Sequence, residues 1–513
     1  MKQYFSVPIL LFFIFTWAGC QQNPPLPYQP SGDLILTPTP PAYPRINGPG
    51  VYGMRPGSPF LYRIPCTGTR PIGFEAENLP DGLSLDKNSG IITGKIMERG
   101  TYPVLLKAEN TEGEDSRKFR IVVGDTLALT PPMGWNSWYI HYDRISDSLM
   151  RQAADQMIAT GMADYGYQYV NIDDCWMIKA DSEDPEIGGP LRTEDGQLRT
   201  NRRFPDMPDM TEYIHSKGLK AGLYISPGTT TCAGYAGSYD HELQDAETFA
   251  DWGFDFLKYD WCSYGRLVDP QTREDYIKPY RKMWNILQSL DRDIVLNLCQ
   301  YGMGEVWTWG AQVGNCWRTT GDLGLEENRE LPGFYSIGFS NALHWEYAGP
   351  GGWNDPDYIL IGWVGDAHRM GIGTPTSLTP DEQYSYMSMW SLMAAPLIFS
   401  GDMGRLDEFT LNVLCNHEVI AIDQDPSGKQ ARILRKTDNE LVLVKEMTDG
   451  SWAIGLFNLD SNPAVIQVSW EETGVTGKWT VRDVWRQQDI GRYDEFFSAR
   501  VPSHGVILTR FNK

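Results

Sequence analysis

Lys258, Asp260 and Cys262 alternate at the end of the run Gly253-Phe254-Asp255-Phe256-Leu257-Lys258-Tyr259-Asp260-Trp261-Cys262. The segment Phe254 to Leu257 reads as a short buried strand, and period-two spacing points the three polar side chains to one side where that strand ends. Other strand-like segments end in the same way, in Asp173-Asp174, in Arg318 followed by Asp322, and in Asp355-Pro356-Asp357. Two chemistries compete for such a set. An oxygen-rich cluster could hold a hard cation such as calcium, but Lys258 and Arg318 are interleaved with the carboxylates and would oppose it. Glycoside hydrolysis instead needs one nucleophilic carboxylate, one protonated carboxyl and polar groups that grip hydroxyls. The mixture of cations and carboxylates fits that chemistry better. A Lys-Asp pair that merely satisfies itself at a sheet edge is the bland alternative for the 258–260 pair alone.

Elements able to bring these residues together are legible from Leu127 to about Ile420, where strand and helix patterns alternate. Ser146 is placed to cap a helix running through Met162. The strand Tyr167 to Ile172 then leads into Asp173, and a helix near Asp209 to Ser216 precedes the strand Leu219 to Ile225. A helix His241 to Asp251 leads into the opening stretch, and a helix Tyr276 to Leu290 precedes the strand Ile294 to Leu298. Leu397 to Ser400 would close the ring. Repeated βα units of this length predict a parallel (β/α)8 barrel, whose active site sits where the strands end.

The 513 residues, 41% of them hydrophobic, suffice for more than one domain. A net charge of -22 excludes nucleic acid and anionic membrane surfaces as partners. Residues 1–19 read as a signal peptide, with Lys2 as the positive n-region and Phe5 to Trp17 as an apolar core too short to span a bilayer. Ala18-Gly19-Cys20 resembles a bacterial lipobox, although Trp17 stands where a small aliphatic residue is usual, so Cys20 is expected to be lipidated. The expected location is outside the cytoplasm, as a membrane-anchored lipoprotein in the periplasm or at the cell surface. Residues 20–47 are Pro-rich and expected to form a stalk without a core. Residues 48–124 read as a small all-β module, with strands near Phe60 to Ile64, Ile91 to Thr93, Tyr102 to Ala108 and Phe119 to Val123. The barrel follows over 125–420, and 421–513 reads as a C-terminal antiparallel β-sandwich. The cysteines are Cys20, Cys66, Cys175, Cys232, Cys262, Cys299, Cys316 and Cys415. An exported chain permits disulfides, spacing alone assigns none, and no CxxC pair suggests a structural zinc.

The motifs Pro132-Met133-Gly134-Trp135-Asn136-Ser137-Trp138, Asn171-Ile172-Asp173-Asp174-Cys175-Trp176 and Lys258-Tyr259-Asp260-Trp261-Cys262 resemble those of glycoside hydrolase family 27. Trp317-Arg318 with Asp322, Gly351-Gly352-Trp353-Asn354-Asp355-Pro356-Asp357, and Ile422-Asp423-Gln424-Asp425-Pro426 extend the resemblance over roughly Leu127 to Lys429. Leu79-Pro80-Asp81-Gly82-Leu83, Ser89-Gly90-Ile91-Ile92-Thr93-Gly94 and Gly100-Thr101-Tyr102 resemble an Ig-like module found beside bacterial hydrolases, expected here as a spacer, with sugar binding as the alternative.

The resemblance implies a retaining, exo-acting α-galactosidase without cofactor or metal, acting on α-galactoside-containing glycans. It implies that Asp260 is the nucleophile and Asp322 the general acid/base. Lys258 is expected to keep Asp260 ionised, and the surroundings of Asp322 to raise its pKa. Trp138, Asp173, Asp174, Tyr224, Lys258, Gln300, Arg318 and Asp357 are expected to line the sugar site, and Cys232 to pair with Cys262. Gln300 stands where many members carry Glu, and Tyr358 where many carry Met. Cys175 lacks its usual partner near Trp138, and a Cys299–Cys316 disulfide is a further expectation. The family also contains α-N-acetylgalactosaminidases and β-L-arabinopyranosidases. Gln300 fills the space an N-acetyl group would need, and Asp173 with Asp174 favours a sugar carrying a C6 hydroxymethyl, so galactose is expected. A non-catalytic sugar-binding surface protein on the same scaffold is the rival from another class. The oligomeric state is not legible.

Overall fold

The computed structural model describes residues 1, 26–269, 272–324, 331–366 and 369–513; Cys20 and the leader lie outside the described residues. Eight parallel strands make the central sheet: β1 (Met133–Asn136), β2 (Tyr169–Asn171), β3 (Lys220–Ile225), β4 (Phe256–Asp260), β5 (Val295–Cys299), β6 (Cys316–Arg318), β7 (Trp353–Asp355) and β8 (Leu397–Phe399). From β1 to β7 each strand pairs with the next, and β8 pairs with β1. The ring closes beyond β7, where the Ile359 amide donates to the Ile398 carbonyl at 2.8 Å and the Ser400 amide to the Ile359 carbonyl at 3.0 Å.

Helices α1 (Asp147–Ala159), α2 (Met207–Ser216), α3 (Glu242–Asp251), α4 (Arg273–Ser289), α5 (Gly333–Ala342) and α6 (Pro380–Leu392) pack outside. Ser146 caps α1 by accepting from the Leu149 amide at 3.4 Å. The helix stops three residues before the expected Met162, because Gly161 takes a left-handed φ of +80° and opens a short 3-10 turn. Helix α4 starts three residues before the expected Tyr276, since Thr272 and Asp275 form a reciprocal capping box that apolar periodicity does not register. Between β5 and β6 the connection consists of two 3-10 turns, Val306–Thr308 and Gly310–Gln312, rather than a helix.

The Ig-like module is two sheets, one of Val51–Met54, Gly113–Val123, Gly100–Asn110 and Gly73–Glu77, the other of Phe60–Arg63, Ile91–Gly94 and Leu83–Leu85. The C-terminal domain holds a sheet of six strands, among them Glu440–Glu446, Trp452–Asn458 and Val506–Asn512, facing the pair Ala464–Ser469 and Phe496–Val501. Its core, including Val442, Ile454, Phe497 and Phe511, lies between them.

The Pro-rich segment forms no core of its own, but from Leu26 onward it is docked rather than free. The Tyr28 amide donates to the Ser498 carbonyl at 2.8 Å, its hydroxyl to Asp483 at 2.9 Å, and Thr37 bonds Asn412 on the barrel. The physical reason is that its few aromatic and hydroxyl side chains find partners on two domains at once. No described helix is long and apolar enough to cross a membrane.

Candidate active site

The strand-end residues named from the sequence converge on one mouth. Lys258, two residues before the end of β4, is buried and donates to Asp173 Oδ2 at 2.8 Å, reaching across from β4 to the segment after β2. Its ammonium lies between two rings, 5.1 Å from the centroid of Tyr224 and 5.2 Å from that of Tyr358. The Tyr358 hydroxyl donates to the same Asp173 oxygen at 3.1 Å. Burial disfavours the charged Lys258, yet the Asp173 carboxylate outweighs it and holds the ammonium well above its usual range. Lys258 thus pairs directly with Asp173 and acts on Asp260 through space, favouring its ionised form.

Asp260 closes β4 and is 4% exposed. Burial pushes its carboxyl up to about 6, while Lys258 and a hydrogen bond from Tyr301 pull the other way. Asp174 is fully buried, and desolvation pushes it up to about 7 although the Ala233 and Cys175 amides donate to it at 2.9 and 2.7 Å. Cys262 lies beyond the strand with a φ of +36°, so strict alternation ends at Asp260. A disulfide to Cys232 nevertheless returns its sulfur to the site. The Tyr224 hydroxyl is 3.1 Å from Cys262 Sγ. Cys232, Cys262 and a carboxylate oxygen of Asp260 lie within 4.8 Å of one another, the one grouping with metal-ligand spacing among the described residues, but the disulfide joins its two sulfurs.

At the end of β6, Arg318 Nη2 lies 3.1 Å from Asp322 Oδ1 and 3.1 Å from Asp357 Oδ2. Burial opposes the Arg318 charge, but Asp357 and Asp322 hold the guanidinium firmly cationic. Asp322 is 42% exposed, with the Arg318 guanidinium against one of its carboxylate oxygens. The charge of Asp322 also repels that of Asp260 and adds to the upward push on the Asp260 carboxyl. Asp357 is not an open wall of the site. Its Oδ2 accepts from the Tyr139 hydroxyl at 2.7 Å and the Leu323 amide at 2.8 Å, and its Oδ1 from the Tyr358 amide at 2.9 Å. It therefore ties down both Arg318 and the backbone beside Asp322.

Trp138 follows β1, is partly buried and packs against Tyr142, with ring centroids 4.9 Å apart and planes tilted by 59°. Gln300, directly after β5, is fully buried, and neither its Oε1 nor its Nε2 is hydrogen bonded. Cys175 is a buried free thiol, as are Cys299 and Cys316. The Cys299–Cys316 expectation fails on register. Cys316 stands opposite Asn297, two residues before Cys299. Strands ~4.8 Å apart with a ~6.6 Å offset put the two Cα atoms about 8 Å apart, beyond the ~7 Å reach of a disulfide. Two residues escaped the sequence reading, Tyr301 and Tyr139. Tyr139 stands in the Trp-Tyr continuation of the first motif; Tyr301 gave no periodic signal.

The profile of the Alpha galactosidase A family matches residues 130–425, the α-galactosidase C-terminal β-sandwich profile 438–511, and an Ig-domain profile 43–124. Alpha-galactosidase 3 of Arabidopsis thaliana is 36% identical over 425 residues, spanning 81% of this chain and 90% of that protein. A solved Bacteroides fragilis structure described as a candidate α-galactosidase/melibiase superposes with a TM-score of 0.84 at 38% identity, covering 93% of this chain and 99% of that one. Alpha-galactosidase I of Mortierella vinacea superposes with a TM-score of 0.67 at 29% identity, covering 75% and 97%. The chain belongs to the α-galactosidase family, glycoside hydrolase family 27.

Proposed function

We propose that this protein is a retaining, exo-acting α-galactosidase that removes terminal α-linked galactose from oligo- or polysaccharides by double displacement. The observation that carries the reading is the pair Asp260 and Asp322, at the end of β4 and just beyond β6, close enough for Asp322's charge to act on Asp260, with Asp260 buried and Asp322 reachable from solvent. In the first step a carboxylate oxygen of Asp260 bonds to the anomeric carbon. The bond to the leaving oxygen breaks, and that oxygen takes the proton of Asp322. In the second step Asp322 takes a proton from water, the water oxygen bonds to the anomeric carbon, and the electron pair of the ester bond returns to Asp260. The buried Asp173, Asp174, Lys258 and Tyr358 close the base of the site, which supports attack on a chain end. Gln300 follows Cys299 with an unbonded donor and acceptor, and it supports recognition of a galactose hydroxyl over an acetamido group.

An NMR time course on an aryl α-galactoside tests the reading, with α-galactose expected as the first product; the β-anomer first would overturn it. The kcat/KM for that substrate should exceed those for the matched α-N-acetylgalactosaminide and β-L-arabinopyranoside. Export and lipid anchoring through Cys20 are part of the proposal, supported by the leader and the Ala18-Gly19-Cys20 sequence. Cys20→Ala should move the protein from the membrane to the soluble fraction, whereas an unmodified Cys20 in soluble mature protein would refute the anchor.

A further inference from the structure

Beyond β5 the chain reverses sharply: Tyr301 and Gly302 are both left-handed, with φ of +64° and +85°. Glycine is required at the second position, because a Cβ there would lie 2.4 Å from the Thr319 carbonyl oxygen. At the first, a bulky aromatic residue sits in a strained left-handed conformation, so something outside the turn holds it there. The turn brings the Tyr301 ring back over the mouth to the end of the neighbouring β4. There its hydroxyl donates to Asp260 Oδ1 at 2.6 Å, the length of a charge-assisted O–H···O⁻ bond. Among the described residues this is the one hydrogen bond to the Asp260 carboxylate. The Tyr301 oxygen also lies 3.5 Å from Cys232 Sγ, so the disulfide backs the phenol from behind.

We propose that Tyr301 is a positioning residue of the nucleophile: by holding Oδ1 it selects Oδ2 as the oxygen that attacks the anomeric carbon, and it stabilises the carboxylate that departs when the glycosyl-enzyme is hydrolysed. This rests on the double-displacement reading above. Burial and the adjoining Asp260 charge push the Tyr301 phenol far up, so it stays a donor at every working pH. When Oδ2 forms the ester, Oδ1 becomes a neutral carbonyl and the bond from Tyr301 weakens. When water cleaves the ester, the charge returns to the carboxylate and the bond strengthens. Tyr301 therefore favours the second step at the expense of the first, and it helps keep free Asp260 ionised.

The test is Tyr301→Phe, which keeps the ring and removes the oxygen. The acid limb of kcat/KM against pH should rise by about one unit, a tenfold change in the ionisation constant. With an activated aryl α-galactoside, kcat should fall about tenfold and a pre-steady-state burst of aryl alcohol should appear as the ester accumulates. An unmoved acid limb, or a fall in kcat without a burst, overturns the proposal. Should Tyr301→Phe lose its cooperative melt, 3-fluorotyrosine at position 301, a stronger donor of the same shape, should move the acid limb downward, and no movement is equally fatal. The wild-type anomeric outcome separates the two readings. A wild type that inverts refutes double displacement, whereas a retaining wild type with an unchanged variant refutes only the role of Tyr301.

Discussion

Replacing Asp260 by Asn is expected to stabilise the protein while abolishing its turnover. Burial pushes the Asp260 carboxyl from the ordinary 3.8 up to about 6, even with Lys258 and Tyr301 pulling against it. A carboxyl with a folded-state pKa above its unfolded value binds protons more readily when folded. Its contribution to stability therefore falls as pH rises between those two values and remains unfavourable above both. About two pH units at ~1.36 kcal/mol each gives a destabilisation of about 3 kcal/mol at pH 7. Asparagine removes the charge and keeps an acceptor for the Tyr301 hydroxyl. At ~2–4 °C per kcal/mol for domains of about 150–250 residues, the apparent Tm at pH 7 should rise by about 6–12 °C. Calorimetric scans of wild type and Asp260→Asn at pH 7 and pH 4 make the comparison, and at pH 4 the gain should vanish because wild-type Asp260 is already neutral. A gain of equal size at both pH values would show that charge is not its origin. A loss at pH 7 would show that the attraction of Lys258 for the ionised carboxylate exceeds the burial term.

Asp322→Ala should lower kcat/KM by at least about a hundredfold for an alkyl α-galactoside and far less for a 2,4-dinitrophenyl one, since only the former needs a proton on its leaving group; equal losses on the two substrates would remove Asp322 from that role. The double variant Cys232→Ser with Cys262→Ser should raise KM and lower kcat together, because the disulfide stands against the Tyr224 and Tyr301 hydroxyls, and unchanged kinetics would make it purely a staple. Arg55→Ala should lower the apparent Tm by several degrees, a loss of about 2–4 kcal/mol from unpaired buried partners, with kcat/KM at 25 °C within about twofold of wild type.

The barrel was legible because its strands are short apolar runs that break into Asp, Lys or Arg, and these polar endings mark one face of the ring. The same endings named Asp173, Asp174, Lys258, Asp260, Arg318, Asp322 and Asp357, all of which the fold brings to the mouth. Their partnerships were not legible. Lys258 is two residues from Asp260 in sequence, yet its ammonium bonds Asp173, 85 residues earlier, because the mouth brings the ends of β2 and β4 together across β3. Asp357 read as a lining group, and its contacts with Tyr139, Arg318 and Leu323 come from the helical turn after β1, the end of β6 and the segment that follows it. Tyr301 was invisible for another reason. Side-chain periodicity says nothing about a residue past the last strand position, where a left-handed turn alone decides its direction. Register likewise settles what cysteine spacing left open, pairing Cys232 with Cys262 while holding Cys299 and Cys316 apart.

Arg55 shows that the Ig-like module is part of the enzyme's framework rather than a loose spacer. Its Nε and backbone amide both bond Asp293, at 2.7 and 3.0 Å, and its Nη1 donates to the Gln288 carbonyl at 2.8 Å. Nη2 reaches the carbonyls of Leu290, at 3.0 Å, and Arg292, while Ser58 adds a bond to Asp293 at 2.9 Å. These carbonyls belong to the end of α4 and the turn that enters β5, so one guanidinium caps a helix whose last carbonyls would otherwise lack partners. Strand β5 is the element that ends in Cys299 and delivers Gln300 and Tyr301 to the mouth. The module thus grips the entry of the strand whose exit carries the hydrogen bond to Asp260. The leading segment from Tyr28 to Thr37 fixes the C-terminal sandwich and the barrel in the same way, through Ser498, Asp483 and Asn412. A chain built to present a free catalytic head on a stalk would have no use for a buried arginine in this position. The arrangement instead favours a framework in which the module, the leading segment and the sandwich are all tied to one another and to the barrel.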